Sequence, residues 1–215
     1  MVRIMAITLV LLFVSQGVQA TAQRPDRISI SGEKYFIHTN PLTQYLKMIG
    51  WEPPKDAAIR SSNWRGYLAS WGIEAGKLIL VDMTIEKRRK SAEDKRERKS
   101  ILKTVFPNKK QIVAEWFNGA LIVPSGERIS YVHMGYGAMY ERYQVLRIKA
   151  GTVYEHLHMS QSEFQAYKEK KFQIFRETKM FQSELRNLIN GEYNWSEEQA
   201  LRFMQSFYIE HYLSL

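Results

Sequence analysis

The stretch that decides the fold is WRGYLASWGI, residues 64–73, which places two of the five tryptophans of the chain within ten positions. A turn, Glu74-Ala75-Gly76-Lys77, follows at once, and Gly76 can adopt the positive φ that tight hairpin loops require. Residues 78–85 then form a second apolar run. Two apolar runs about a short turn predict a β-hairpin at the centre of the protein.

The register of this hairpin follows if Ala75 and Gly76 form its loop. The predicted cross-strand pairs are Glu74 with Lys77, Ile73 with Leu78, Trp71 with Leu80 and Ala69 with Asp82. Because side chains alternate between the two faces of a strand, both faces are largely apolar, and we expect both to be covered. Arg65 and Asp82 share a face, so Asp82 is a predicted partner of Arg65, with Glu115 or a bound ligand as the alternatives.

Further strands are predicted on both sides of the hairpin. They span residues 28–30 and 34–38 about Ser31-Gly32, 111–117 and 120–123 about Asn118-Gly119, 129–133 after a turn at 124–127, and 143–149 and 152–158 about Ala150-Gly151. A short helix is predicted after Pro41, with Gly50 as its end.

The periodicity changes near residue 160. Ser160 and Glu163 form a capping-box pattern that begins a helix, and Asn190-Gly191 ends it. A second helix begins at Ser196 and runs to Tyr212. The sequence thus predicts an α+β fold, with an antiparallel sheet of about six to eight strands and helices mainly C-terminal. We expect a single domain over residues 21–215.

The first twenty residues have the pattern of a secretory signal peptide. Arg3 supplies the positive charge, residues 4–14 are apolar but too short for a stable span, and Val18-Gln19-Ala20 resembles a cleavage site. The alternative is an N-terminal anchor that is kept. The chain has no cysteine, which excludes disulfides, thiol catalysis and cysteine-based metal sites. We therefore expect a periplasmic or secreted protein held together by core packing.

The net charge of +9 is concentrated in one segment. Residues 86–110 contain eleven lysines and arginines against four acids, which gives 11 − 4 = +7. Residues 86–103 are predicted to be a solvated helical excursion or a long mobile loop. This basic segment is a candidate contact for an acidic protein or an anionic envelope surface. A solvated, salt-bridged surface is the alternative, and nucleic acid is not expected because the segment lacks interleaved aromatic residues. The candidate binding residues are Arg65, Lys87, Arg88, Arg89, Lys90, Arg96 and Arg98.

Acid–base chemistry has three candidate residues. His133 precedes Gly135-Tyr136-Gly137, where a ligand can approach the backbone closely, and Glu115 stands in apolar company that is expected to raise its pKa. With Tyr136 as a further candidate and Arg65 to position a carboxylate or phosphate, these residues suit a small hydrolase or an anion-binding enzyme. The alternative is that all are structural residues.

A metal or cofactor receives little support from the sequence. His156 and His158 lie on the same side of a predicted strand and form a weak candidate for half of a zinc site, with two surface histidines as the alternative. No Walker A, G-x-G-x-x-G or G-x-S-x-G pattern occurs, so no cofactor and no nucleophilic serine are expected.

Four blocks of the sequence resemble blocks that occur together in uncharacterised bacterial exported proteins. They are TNPL at 39–42, WRGY at 64–67, EWF with Gly119 at 115–119, and YVHMGY at 131–136. The resemblance implies no activity, fold, ligand or functional residue. The expected function is therefore a binding or interaction module with an unknown ligand, and the alternative is the small hydrolase above.

Overall fold

The computed structural model describes residues 22–89, 91, 93–131, 136–192 and 194–215. The predicted leader, Lys90 and His133 lie outside the described residues. Among the described residues, no helix is both long enough and apolar enough to cross a lipid bilayer. The strands and helices, in chain order, are β1 (Asp26–Ile30), β2 (Glu33–Ile37), α1 (Leu42–Met48), β3 (Leu68–Glu74), β4 (Lys77–Glu86), β5 (Arg98–Ser100), α2 (Leu102–Val105), β6 (Gly119–Ser130), β7 (Met139–Lys149), β8 (Thr152–Ser160), α3 (Gln161–Arg176), α4 (Lys179–Asn190), α5 (Glu197–Phe207) and α6 (Ile209–Tyr212).

The strands form one sheet in the order β2-β1-β3-β4-β8-β7-β6, with β5 paired to the far end of β4. This confirms the α+β class and the C-terminal location of most helices. The sheet is mixed, because β1 and β3 run parallel, and the prediction of a purely antiparallel sheet is wrong at that pair. The amide of His38, just after β2, donates to the Ile122 carbonyl of β6 at 2.8 Å. The sheet therefore curls until its two terminal strands meet.

The central hairpin has the predicted loop, and three of its four predicted pairs are confirmed. A β-bulge between Ser70 and Trp71 changes the fourth, so Ala69 faces Met83 and Ser70 faces Asp82. The bulge inserts one residue and thereby turns Met83 toward the core. On the opposite face Ile79 is buried but Val81 is 52 % exposed, so the expectation that both faces are covered holds at Ile79 and is wrong at Val81.

Arg65 pairs with Asp26, at the start of β1, and not with Asp82 or Glu115. The guanidinium donates to the Asp26 carboxylate at 3.1 Å, and neither side chain is accessible to solvent beyond 2 %. The carboxylate also accepts hydrogen bonds from the Ala69 amide at 3.0 Å and from the Trp71 indole at 3.3 Å. Asp82 instead accepts from Ser100 and from the Met83 amide. One buried carboxylate thus joins β1 to the strand that carries the stretch 64–73.

Two further predictions about the strands are wrong. Residues 111–117 are not a strand. They form a loop that lies along β4 and makes one isolated bridge to it, between Val113 and Ile79. Asn118 does not open a hairpin: its side-chain oxygen accepts from the Ala150 amide, and β6 runs from Gly119 through the predicted turn at 124–127. The pairing of β6 with β7 shifts register after Ser125, so the strand bends at the predicted turn and does not end there.

Each predicted C-terminal helix is divided into two. The capping boxes at Ser160 and Ser196 are confirmed. The first helix breaks at Thr178, whose side chain accepts from the Phe181 amide and caps α4. The second breaks at Tyr208, between α5 and α6. These breaks let the short helices follow the curved outer surface of β6–β8 and pack on it.

The basic segment is neither a helix nor a free excursion where it is described. The Lys87 amide donates to the Glu97 carbonyl at 2.8 Å, and β5 returns to pair with β4. Glu86 is buried and pairs with Arg24 at 2.9 Å and with Arg60 at 3.0 Å, so it is not available to stabilise a helix. The helical alternative is therefore wrong for the described residues between β4 and β5.

We expect Asp26→Asn to lower the free energy of unfolding by about 3–5 kcal/mol, because it leaves the buried Arg65 charge without a counterion. Urea unfolding followed by tryptophan fluorescence measures this loss. Arg202→Gln, which breaks an exposed ion pair with Glu198, is the matched control and should cost no more than about 0.5 kcal/mol. Equal losses in the two variants would contradict a structural role for the Asp26–Arg65 pair.

Candidate functional site

A cavity of about 470 Å³ lies between the β6–β7 part of the sheet and the C-terminal helices. It falls within the range of small-molecule binding pockets. Strands β6 and β7 and helices α3, α5 and α6 contribute part of its lining, and the rest comes from the segments before β1, after β2, before β3 and before β7. Its lining includes His38, Asn40, Trp64, Tyr136, Ala138, Tyr143, Phe164, Lys168, Glu169, Phe207 and Glu210.

Asn40 organises the polar part of the cavity. It lies between β2 and α1, beyond the end of the strand. Its backbone amide is therefore not used in a hydrogen bond between strands. The amide donates to the Glu210 carboxyl at 3.1 Å, and the side-chain oxygen accepts from the Tyr136 hydroxyl at 3.0 Å. Three segments that are distant in sequence thus meet at one residue.

His38 forms an aromatic wall of the cavity. Its ring stacks on Tyr136 at 4.8 Å between centroids and meets Tyr140 edge-on at 5.7 Å. Burial lowers the pKa of the His38 imidazole to about 4, so the ring is neutral at pH 7. A neutral imidazole has one nitrogen that donates and one that accepts, which suits it to bind a polar ligand without adding charge.

Two ionisable side chains of the lining are shifted toward their neutral forms. Burial raises the pKa of the Glu210 carboxyl to about 7 and lowers the pKa of the Lys168 ammonium. Neither side chain forms an ion pair with any described residue. Groups of this kind in a cavity are typical of binding and catalytic sites, because structural charges in protein interiors are usually paired.

Large aromatic rings stand at the solvent side of the cavity. Trp64 and Phe207 both line it and are 60 % and 53 % exposed. Deeper in the wall, Tyr143 stacks on Phe164 with centroids 4.0 Å apart. Exposed aromatic rings beside a cavity are a common feature of ligand sites, since a folded chain otherwise tends to bury them.

Of the catalytic candidates from the sequence, the structure places Tyr136 in this cavity. Arg65 is buried and engaged by Asp26, and it is outside the set of described residues that line the cavity. Glu115 is exposed in the loop after residue 113, so the expectation of a buried carboxyl there is wrong. His133 is not described, and its role stays a prediction.

His156 and His158 do share a face of β8, with ring centroids 4.5 Å apart. Both are exposed, and His156 bonds to the Gln144 side chain at 2.9 Å. Among the residues that the structure describes, no group of three side chains could hold a metal ion. The pair therefore lacks a third ligand among the described residues, and the zinc site gains no support.

The candidate binding residues of the basic segment lie away from the cavity. Lys87 pairs with Glu97 at 2.9 Å, and Arg88, Arg89 and Arg96 are exposed. Arg98 belongs to β5 and lines a separate groove of about 350 Å³ on the outer side of β1, β3 and β4. The positive charge of these residues is therefore presented to solvent outside the lining of the cavity.

The sequence reasoning missed His38, Asn40, Lys168 and Glu210. None of the four stands in a sequence pattern that indicates a site. One signal was present: three of the four resemblance blocks meet in the structure. Asn40 bonds to Tyr136, and the Trp116 indole donates to the Pro41 carbonyl at 2.9 Å.

Ionisation of Glu210 should destabilise the fold. Its pKa is about 7 in the folded protein against an ordinary 4.5, so the folded state holds the proton more tightly and stability falls as pH rises between these values. Because the side chain is only half-buried, we expect a loss on the order of 1–2 kcal/mol. Urea unfolding at pH 5 and pH 8 should show this loss in the natural protein relative to Glu210→Gln. The exposed Glu198→Gln is the control, and three identical pH profiles would contradict the assignment.

Comparisons of the chain with protein-family models, with curated proteins and with solved structures give no match. The interpretation of the cavity therefore rests on its own residues and on their geometry. Those residues supply hydrogen-bond donors and acceptors, two carboxyls, one ammonium and several aromatic rings, within a space that suits a small organic molecule.

Proposed function

We propose that this is an exported binding protein that holds a small organic molecule in the cavity between the sheet and the C-terminal helices. The observation that carries the proposal is the meeting of Asn40, Tyr136 and Glu210 inside the cavity, beside an ammonium group and open aromatic rings. Evolution of a stable core alone does not require such a group of buried polar atoms, because apolar residues of similar volume are usually as stabilising.

Two features support binding over an interior packing defect. The polar groups of the cavity converge from β2, from the segment before β7 and from α6, which gives a ligand several fixed contacts. The aromatic rings of Trp64 and Phe207 remain open to solvent and would be covered by a bound molecule. Export is proposed from the sequence of residues 1–20, with the absence of cysteine as a compatible feature.

A hydrolytic role for the same cavity is the second candidate function. Glu210 favours it, because a carboxyl whose burial brings its pKa to about 7 can give or take a proton at neutral pH. In this hydrolytic role, Glu210 and His38 are the acid–base candidates, in place of Glu115 and His133 from the sequence. The basic segment remains a proposed contact for an acidic protein or an anionic envelope surface, supported by the exposure of Arg88, Arg96 and Arg98.

Expression of the full chain in a bacterium tests export. We expect the protein in the periplasmic fraction, with Thr21 as its first residue by N-terminal sequencing, because cleavage follows Ala20. Ala20→Asp should block cleavage and leave a longer, membrane-associated product. A protein that stays in the cytoplasm with its first twenty residues attached would contradict the proposal.

Small molecules released from the purified protein test binding. The protein is incubated with a periplasmic extract, passed through a desalting column and denatured, and the released compounds are identified by mass spectrometry. Ala138→Trp, which fills the cavity, should retain at least about tenfold less of the specific compound, a change that corresponds to about 1.4 kcal/mol. Val81→Trp adds the same ring on the outer face of the sheet and should retain it fully.

Recovery of the compound in a hydrolysed form, with loss of that conversion in Glu210→Gln, would select the hydrolase. Recovery of the compound unchanged supports the binding protein. Equal retention by the natural protein and by Ala138→Trp would contradict both functions, since neither then uses the cavity.

A further inference from the structure

The cavity contains one partly buried acid and one partly buried base that form no ion pair with any described residue. Glu210 accepts a hydrogen bond from the Asn40 amide, and the Lys168 ammonium lies 5.5 Å from the centre of the Phe164 ring. Glu169, the other acid in the lining, is exposed and accepts from Gln173 at 2.7 Å and from Gln205 at 3.3 Å. These neutral amides do not cancel the charge of Glu169, but water solvates this exposed carboxylate, and its charge favours the ammonium form of Lys168. Glu210 and Lys168 are therefore the two partly buried ionisable groups of the cavity that a ligand can neutralise.

Both groups line the same cavity, yet no ion pair between them is found among the described residues. A carboxyl and an ammonium that lie in one partly desolvated space would normally form an ion pair, which offsets the cost of removing both from water. Here no ion pair joins them in the described structure, and Lys168 relies on an aromatic face instead. Each group is thus left to interact with something that enters between them.

The charge pattern selects among ligand classes. An anion would pair with Lys168 but approach Glu210 unfavourably, and a cation would meet the reverse problem, as Coulomb repulsion in a partly buried site is weakly screened. A molecule with one positive and one negative end satisfies both residues. The exposed rings of Trp64 and Phe207 offer contact surface for an apolar or aromatic part of the same molecule.

We propose that the ligand is a zwitterion of the amino acid type, either a free amino acid or a dipeptide, whose ammonium binds Glu210 and whose carboxylate binds Lys168. This inference rests on the proposed function, because it names the ligand class of the same cavity. The cavity volume of about 470 Å³ accommodates one amino acid with a large side chain or a dipeptide.

Isothermal titration of the mature protein with two families of probes tests the inference. The first family is L-phenylalanine, its methyl ester, N-acetyl-L-phenylalanine and N-acetyl-L-phenylalanine methyl ester. The second is the dipeptide Phe-Ala with the same end groups blocked. In at least one family the zwitterion should bind best, and blocking either end should weaken binding at least about tenfold, since a charge-assisted hydrogen bond is lost.

Variants assign each end of the probe to its residue. Glu210→Gln should abolish the preference for a free ammonium, so that the zwitterion and its N-acetyl form bind about equally. Lys168→Met should abolish the preference for a free carboxylate in the same way. Lys170→Met, which removes an exposed lysine of the same helix, and Glu198→Gln should leave both preferences unchanged. Far-ultraviolet circular dichroism checks folding, and Glu210→Asp and Lys168→Arg should restore the preferences in part.

The outcomes separate this inference from the proposed function. Equal binding of all four end-group forms, or no binding of either zwitterion, overturns the proposal that the ligand is a zwitterion. If Ala138→Trp still abolishes retention of some other compound from the extract, the binding function stands while the inference fails. If the zwitterions bind and Ala138→Trp binds them equally well, the ligand lies elsewhere and both the inference and the proposed site are overturned.

Discussion

The rest of the structure depends on the buried carboxylate of Asp26. It receives the Arg65 guanidinium, the Ala69 amide and the Trp71 indole, and the same guanidinium also donates to the Arg24 carbonyl at 2.8 Å. A carboxylate excluded from water must have its acceptor sites filled, and these donors fill them. The requirement fixes β1 beside β3 in parallel, although most neighbouring strands of the sheet run antiparallel. It also fixes where the central hairpin begins, because Arg65 must reach back to β1.

The position of the cavity follows from the curvature of the sheet. A bulge at Ser70 and register shifts in β6 bend the strands until β2 approaches β6. The concave side is then filled by α1 and by the apolar side chains of the central hairpin. The helices α3 to α6 pack on the other side of β6 and β7, where they form a second core. Near the junction of β2 with β6, Asn40 and His38 line the cavity together with Ile122, Tyr143 and Phe164 of this second core.

Local signals in the sequence predicted the local structure well. The loops at Ala75-Gly76 and Ala150-Gly151 and the capping boxes at Ser160 and Ser196 depend on a few adjacent residues, and all four are present. The errors came from interactions between distant residues. The bulge at Ser70 cannot be recognised from alternation of apolar residues, and Asn118-Gly119, a strong hairpin signal, is overridden because Asn118 bonds to Ala150.

The candidate site was largely hidden for the same reason. Tyr136 was identified from its glycine-rich neighbourhood, but His38, Asn40, Lys168 and Glu210 are ordinary residues in ordinary local patterns. Their chemistry arises only when the sheet curls and α6 reaches Asn40. Arg65 illustrates the converse: an arginine among aromatic residues suggested a binding group, and the folded chain supplies its partner from β1. Pairing across the whole chain decides which polar residues are structural and which are free.

The hydrogen bond between Asn40 and Glu210 connects residues 170 positions apart. Contacts of such long range form late in folding, because the intervening chain must first be ordered. The binding site is therefore absent from any partly folded form in which the C-terminal helices have come away from the sheet. For the proposed ligand, this means that amide hydrogen exchange in α5 and α6 should slow on binding, because a molecule that binds only the closed form stabilises the packing of these helices on the sheet.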